Sequence, residues 1–241
     1  MPEIGQYILI LAWVVSTYVI YVGWSAGKNN NREMAVSAYR GVWTVFGLLT
    51  LASIILVYLL AVRDFRVDYV VRYTSAKLPV FYAIPAFWAG NAGSLLLWVW
   101  LLSAFAALAL YRHRHTASRL IPYVAMVCMM IATFFITLML FLFREETGAN
   151  AWFTTNPLYS ALQTLFDTDG QVRPIANPFF TTPYIPTEGK GLNPQLQNPG
   201  MMFHPPTLYL GYVGLAIPFA FAMAALLVRR VDNTWLIMTR R

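Results

Sequence analysis

"GVWTVFGLLTLASIILVYLLAV", residues 41–62, runs for twenty-two residues without a charged side chain. As an α-helix rising 1.5 Å per residue, a run of this length crosses the roughly 30 Å hydrocarbon core of a bilayer. Comparable apolar runs cover residues 4–24, 80–111, 120–143 and 208–228. None shows the period-two alternation of a membrane barrel strand, and in lipid the remaining way to satisfy the backbone is a helix. The fold expected is therefore all-α: a polytopic membrane protein with about five transmembrane helices, forming a single membrane domain over residues 1–241.

Composition agrees with this reading. Hydrophobic residues make up 59% of the 241 and charged residues only 11%, with a mean hydropathy of +0.56, which excludes an ordinary water-soluble globule. The third run is interrupted by "WAGNAGS" (88–94), so it reads either as one long span or as an interfacial segment followed by a helix from about Ser94. The first run lacks a basic leader and a convincing small-residue cleavage site, and so reads as an anchor.

Charge sets the expected orientation. On one side fall Lys28, Arg32, Arg40, Arg112, Arg114, Arg119, Arg229, Arg230, Arg240 and Arg241, against Glu33 and Asp232. The other side carries seven basic residues against eight acids. The positive-inside rule then places the N-terminus outside, the C-terminus in the cytoplasm, and the 65–79 and 144–203 loops outside. The net charge of +7 is a loop bias, so no nucleic acid is expected as a partner and membrane lipid is.

The long outer loop, 144–203, is rich in Pro, Asn, Thr and Gly and punctuates too often for long elements. One short helix is expected near "NPLYSALQTLF" (156–166). The aromatics Trp152, Phe153, Phe166, Phe179, Phe180 and Tyr184 argue for an ordered cap, since disordered segments are poor in such residues. Cys128 is the only cysteine and falls within an apolar run, so the chain has no Cys-x-x-Cys-His of its own. No nucleophile with a base, phosphate loop or pair of intramembrane carboxylates is visible.

His204, in "NPGMMFHPPTLYLGYVG" (198–214), is the one histidine on the outer side. Pro205 and Pro206 suit the first turn of a helix, where a missing N–H costs nothing. The imidazole fits a metal ligand, a proton carrier or a hydrogen-bonded interfacial residue, and residue chemistry leaves these open. His113 and His115, set among arginines in "YRHRH", read as part of the cytoplasmic anchor. Trp88, Trp98 and Trp100 read as an aromatic belt with close packing, or as a flat surface for a large planar ligand. Arg63, Asp64, Arg66, Asp68 and Arg72 read as a solvated charged stretch, with anion binding as the minor alternative.

Two blocks go further: "RVDYVVRYTSAKLPVFYAIPAFWAGNAGSLLLW" (66–98) and "GLNPQLQNPGMMFHPPTLYLGYVGLAIPFAFAMAALL" (191–227). Both closely resemble the N-terminal part of the CcmF-type cytochrome c haem lyases. The resemblance implies a multi-pass bacterial inner-membrane protein. Such a protein takes haem b, as substrate, from a haem chaperone and attaches it by thioether bonds to apocytochrome c. It also implies that His204 is an axial ligand of the haem iron, with Trp88, Trp98 and Trp100 as candidate walls of the pocket. This chain departs from the family pattern at Ala92, where a glutamate is usual, and at Tyr73, where a histidine is common. The family's tryptophan-rich signature and its further histidines lie downstream of the matched region. The chain is thus expected to be the N-terminal component of a lyase, either a split subunit that is incomplete without the remaining subunits or a truncated product, with a non-catalytic scaffold that docks haem chaperone or apocytochrome c as the alternative.

Overall fold

In the computed structural model, residues 1–114, 119–141, 177–182, 185–229 and 233–240 are described. The expected helix at 156–166, and Trp152, Phe153, Phe166, Tyr184 and His115, lie outside them. Among the described residues, five helices are long and apolar enough to cross a membrane: α1 (Pro2–Asn29), α2 (Arg32–Val62), α5 (Asn91–Arg112), α6 (Leu120–Phe141) and α7 (Pro199–Leu227). Short helices α3 (Asp68–Tyr73) and α4 (Ala83–Ala86) lie between α2 and α5, and α8 (Thr234–Arg240) follows α7. Among the described residues there is no strand, only an isolated antiparallel bridge between Val67 and Thr181.

Helix boundaries follow local chemistry. Asn30 closes α1 in the left-handed region (φ 53°), and Asn31 immediately caps α2, its Oδ1 accepting from the Glu33 and Met34 amides at 2.9 and 3.2 Å. Asparagine tolerates the first conformation and provides the second bond, so "KNNNRE" turns the chain through a hairpin in two residues. Arg63 ends α2 with φ 56°. The third apolar run is indeed divided: a 3₁₀ turn at Val80–Tyr82 and α4 precede the transmembrane helix, which begins at Asn91.

Alternating helices define two ends. One, the loop end, gathers the start of α1, residues 63–90 and the described residues 177–182 and 185–203; the other gathers the short, basic connections. The bundle is held by small residues that admit a neighbour's side chain or backbone. A Cβ at Gly41 would strike Val19, one at Gly27 the Tyr123 ring, and one at Gly23 would sit 2.8 Å from the Pro122 carbonyl oxygen. Without a hydrophobic driving force inside lipid, such close approach is what gives helices favourable contact. Hydroxyl pairs add to it: Trp13 Nε1 donates to Thr137 Oγ1 at 2.8 Å, Thr133 Oγ1 to Ser16 Oγ at 2.8 Å, and Trp100 Nε1 to Thr50 Oγ1 at 2.9 Å.

The last span departs from expectation in its start. Sequence placed it at 208–228, but α7 begins at Pro199, with Asn198 Oδ1 accepting from the Gly200 amide at 2.9 Å. The "NPG" that looks like loop punctuation is an N-cap followed by proline in the first turn. Pro205 and Pro206 therefore fall inside the helix, not in its opening turn. They leave the Met201 and Met202 carbonyls without their i+4 donors.

Replacing Gly23 by leucine should force α1 from α6. The expected result is a lower melting temperature in detergent, by the equivalent of about 1–3 kcal/mol for overpacking, while Gly47→Leu, at a position with open space around it, should change it little.

Candidate functional site

The loop end is organised around Tyr69. This side chain is 5% exposed, and its hydroxyl lies 3.0 Å from the Phe87 carbonyl and 3.1 Å from that of Ala86 while accepting from the Gly90 amide at 3.0 Å. Burial pushes its phenol pKa upward, as it does for the neighbouring Tyr73, so both remain neutral donors at physiological pH. The rings of Tyr69 and Tyr73 lie 4.6 Å apart. Glycine is required opposite them: a Cβ at Gly90 would collide with Tyr73, and one at Gly93 with the Phe87 carbonyl and Tyr69. "WAGNAGS" is therefore a turn wrapped on two tyrosines that sets the entry of α5.

Residues 177–182 and 185–191 clasp α3 through backbone hydrogen bonds. Thr182 N–H donates to the Arg66 carbonyl (2.7 Å), Asp68 N–H to Phe180 (2.9 Å), Lys190 N–H to Val71 (2.7 Å) and Gly191 N–H to Thr74 (2.9 Å). Glu188 Oε1 accepts from the Ala76 and Gly189 amides at 2.6 and 3.0 Å. Those backbone donors hold its carboxyl below the usual range. Phe179, 1% exposed, fills the space left by Gly5 at the start of α1.

The charged stretch is internally satisfied. Arg66 makes a two-pronged pair with Asp64 (2.8 and 2.6 Å), which lowers the Asp64 pKa; Arg72 bonds Asp68 at 2.6 Å, and Arg63 donates to the Leu78 carbonyl at 2.6 Å. These arginines are braces of the loop end, so an anion would have to displace existing partners.

The three tryptophans do not line one wall. Trp98 packs on Phe135 of α6 with ring centroids 4.3 Å apart, whereas Trp100, two residues on, points to Thr50 of α2. Trp88 precedes α5 in the wrapped turn. Its carbonyl accepts from Ser94 Oγ at 2.9 Å, and its indole N–H is buried without a hydrogen-bond partner among the described residues.

His204 is exposed on α7, and its imidazole has no hydrogen-bond partner among the described residues. The buried members Met202, Val213, Ala220 and Ala224 face the bundle. At 100° per residue, His204 points about 160° away from Met202 and is opposite that face. Thr207 Oγ1 donates to the His204 carbonyl at 2.8 Å, one of the few bonds available beside two prolines. His113 lies at the other end, its Nε2 3.0 Å from the Met238 carbonyl and its ring 5.6 Å from Phe221. The described residues contain no cluster of three or more His, Cys, Asp or Glu able to hold a metal ion. Sequence reading missed the Tyr69 hub, although a tyrosine preceding a glycine-rich, tryptophan-bearing turn was a signal for it.

Fold and site define a multi-pass helical membrane protein with a braced extramembranous cap. Residues 88–240 match the family model described as "Cytochrome C assembly protein", and the chain belongs to that family. It is 36% identical over 242 residues to the cytochrome c-type biogenesis protein CcmF of Escherichia coli K12, covering 100% of this chain and 32% of the relative. Against CcmF of Haemophilus influenzae it is 34% identical over 236 residues, covering 98% and 31%. A solved structure titled "Cytochrome c Heme Lyase CcmF" superposes with a TM-score of 0.70 at 24% identity, covering 99% of this chain and 32% of that one; at that identity the likeness concerns the fold. The chain spans about a third of the length of these relatives.

Two outcomes test the cap. Tyr69→Phe leaves the buried Gly90 amide without its acceptor and should destabilise the protein by about 1–3 kcal/mol in a detergent melt. Glu188 has a folded pKa below its unfolded value, so its stabilisation is present above the unfolded value near 4.3 and is lost as pH falls through the folded one. Hydrogen exchange at Ala76, corrected for intrinsic rate, should therefore accelerate as pH falls through that lowered folded value, and Glu188→Ala should accelerate it at neutral pH.

Proposed function

We propose that this protein is the N-terminal component of a haem lyase in bacterial cytochrome c maturation, binding haem b as substrate at the loop end. His204 supplies one axial ligand to the iron. The observation that carries this reading is the position of His204: an exposed imidazole, without a competing hydrogen bond among the described residues, on the side of α7 turned from the bundle. A planar macrocycle can approach such a histidine, and neutral imidazole binds haem iron well.

The loop end faces outward from the bacterial inner membrane in this reading, which the basic bias of the opposite connections supports. Trp88 is the member of the tryptophan set whose indole N–H is buried without a hydrogen-bond partner among the described residues. Trp98 and Trp100 stand behind it as the packed frame of α5. His113 is tied at the opposite end, so the second axial ligand comes from beyond the described residues, from the remaining lyase subunits or from the apocytochrome c. Haem supplies the reactive vinyl groups; the contribution of this chain is to hold the iron and orient the ring, since the cofactor carries the hard chemistry. A haem chaperone delivers the haem to this end.

His204→Ala should lower the yield of holocytochrome c at least about tenfold, the scale of losing a positioning ligand, with unchanged amounts of the protein in the membrane. Normal yield at equal expression would remove the ligand role and leave a scaffold that docks haem chaperone or apocytochrome c.

A further inference from the structure

The last span carries two seams. One, through Met202, Tyr209, Val213, Ala216, Ala220 and Ala224, is filled by the bundle. The other runs through His204, Leu208, Gly211, Leu215, Pro218 and Ala222, spaced alternately by four and three residues. That is the spacing of a helix–helix seam. Most of it is uncovered: Leu208 is 43% and Leu215 68% exposed. Only 28% of the apolar window of α7 is buried, against 39–56% in the other four spans.

Exposure alone would suit lipid, but three observations do not. Glycine is a poorer helix former than alanine, and within spans of this chain it marks a close neighbour: Gly5 meets Phe179, Gly23 meets Pro122, Gly27 meets Tyr123, Gly41 meets Val19 and Gly93 meets Phe87. Three glycines in spans are open, Gly47, Gly211 and Gly214, and two of these lie three residues apart on α7. Beside the open seam, a cavity of about 250 Å³ lies between α5 and α7, with Phe105, Leu108, Gly214, Ile217 and Pro218 in its lining. Finally, the relatives carry about twice as much further chain as the part matched here.

We infer that this second seam of α7, together with the groove it forms with α5, is the docking surface for a transmembrane helix from the part of the assembly that lies beyond residues 1–241. The occupant is a helix because, within hydrocarbon, a segment packing on an apolar surface must satisfy its own backbone. Close approach at Gly211 and Gly214 supplies the contact, and a bulky apolar side chain enters the groove beside Leu108. The inference rests on the family reading, in which further polypeptide completes the protein. It adds a consequence: the helix that docks lies on the His204 face of α7, so docking closes the loop-end site from the open side.

The test is photo-crosslinking from α7 in the intact cellular complex, with p-benzoylphenylalanine at Leu215 and, separately, at Ile54, which is 60% exposed on α2. Expected is an adduct from Leu215 to an apolar peptide outside residues 1–241 that aligns with the remaining length of the relatives, and no such adduct from Ile54. Adducts from Leu215 only to lipid, or only to a second copy of residues 1–241, overturn the inference. A companion variant, Gly211→Leu, should reduce recovery of that remaining region with the tagged chain, or its protection from protease where it is covalently continuous, about tenfold, the scale of an overpacked contact. Gly47→Leu is the control, and equal effects of the two substitutions would also contradict the docking surface. Neither readout involves haem, so loss of the ligand role of His204 would leave these results unchanged, and loss of the crosslink would leave the holocytochrome result unchanged.

Discussion

The position of the Tyr69 hydroxyl, held between the carbonyls and the amide of the 86–90 turn, is the constraint from which the loop end is built. A membrane helix cannot begin with irregular backbone in contact with lipid. The four residues before Asn91, Phe87 to Gly90, are irregular, and they are tolerable because a buried side chain answers their polar groups. Fixing that turn fixes where α5 enters the bundle, and with it the directions of Trp98 toward α6 and Trp100 toward α2. The same short helix α3 offers its backbone to the outer-loop segments, so the cap and the spans share one anchor.

This arrangement separates two kinds of polar chemistry that are far apart in the chain. The arginines after α2 are committed to Asp64, Asp68 and the Leu78 carbonyl. They stiffen the cap. His204 is committed to nothing among the described residues, and the prolines that follow it remove two donors from the helix backbone. A stiff frame beside an uncommitted imidazole is the physical pattern expected of a group that receives a ligand rather than one that holds the fold together.

Much of the fold was legible because the controlling physics is one-dimensional. Apolar length alone located the five spans, and "WAGNAGS" signalled the interruption before α5. The start of α7 was misplaced by nine residues because Asn, Pro and Gly serve both as loop punctuation and as helix-opening residues; only the caps distinguish these uses. For the site, sequence supplied His204 but not its direction, which depends on which face of α7 the bundle covers. It also grouped Trp88, Trp98 and Trp100 by proximity in the chain, whereas residues two apart on a helix point about 160° away from each other. Tyr69 escaped notice because its role depends on a hydrogen bond to a turn about twenty residues away.

The central claim is that His204 meets haem iron. The most direct measurement is the absorption spectrum of the complete purified complex, loaded with haem, for the native protein and for His204→Gly with and without added imidazole. The account predicts that the substitution shifts the haem bands and that free imidazole, entering the space left by the side chain, restores them. Identical spectra for the native and substituted complexes at equal haem content would contradict it.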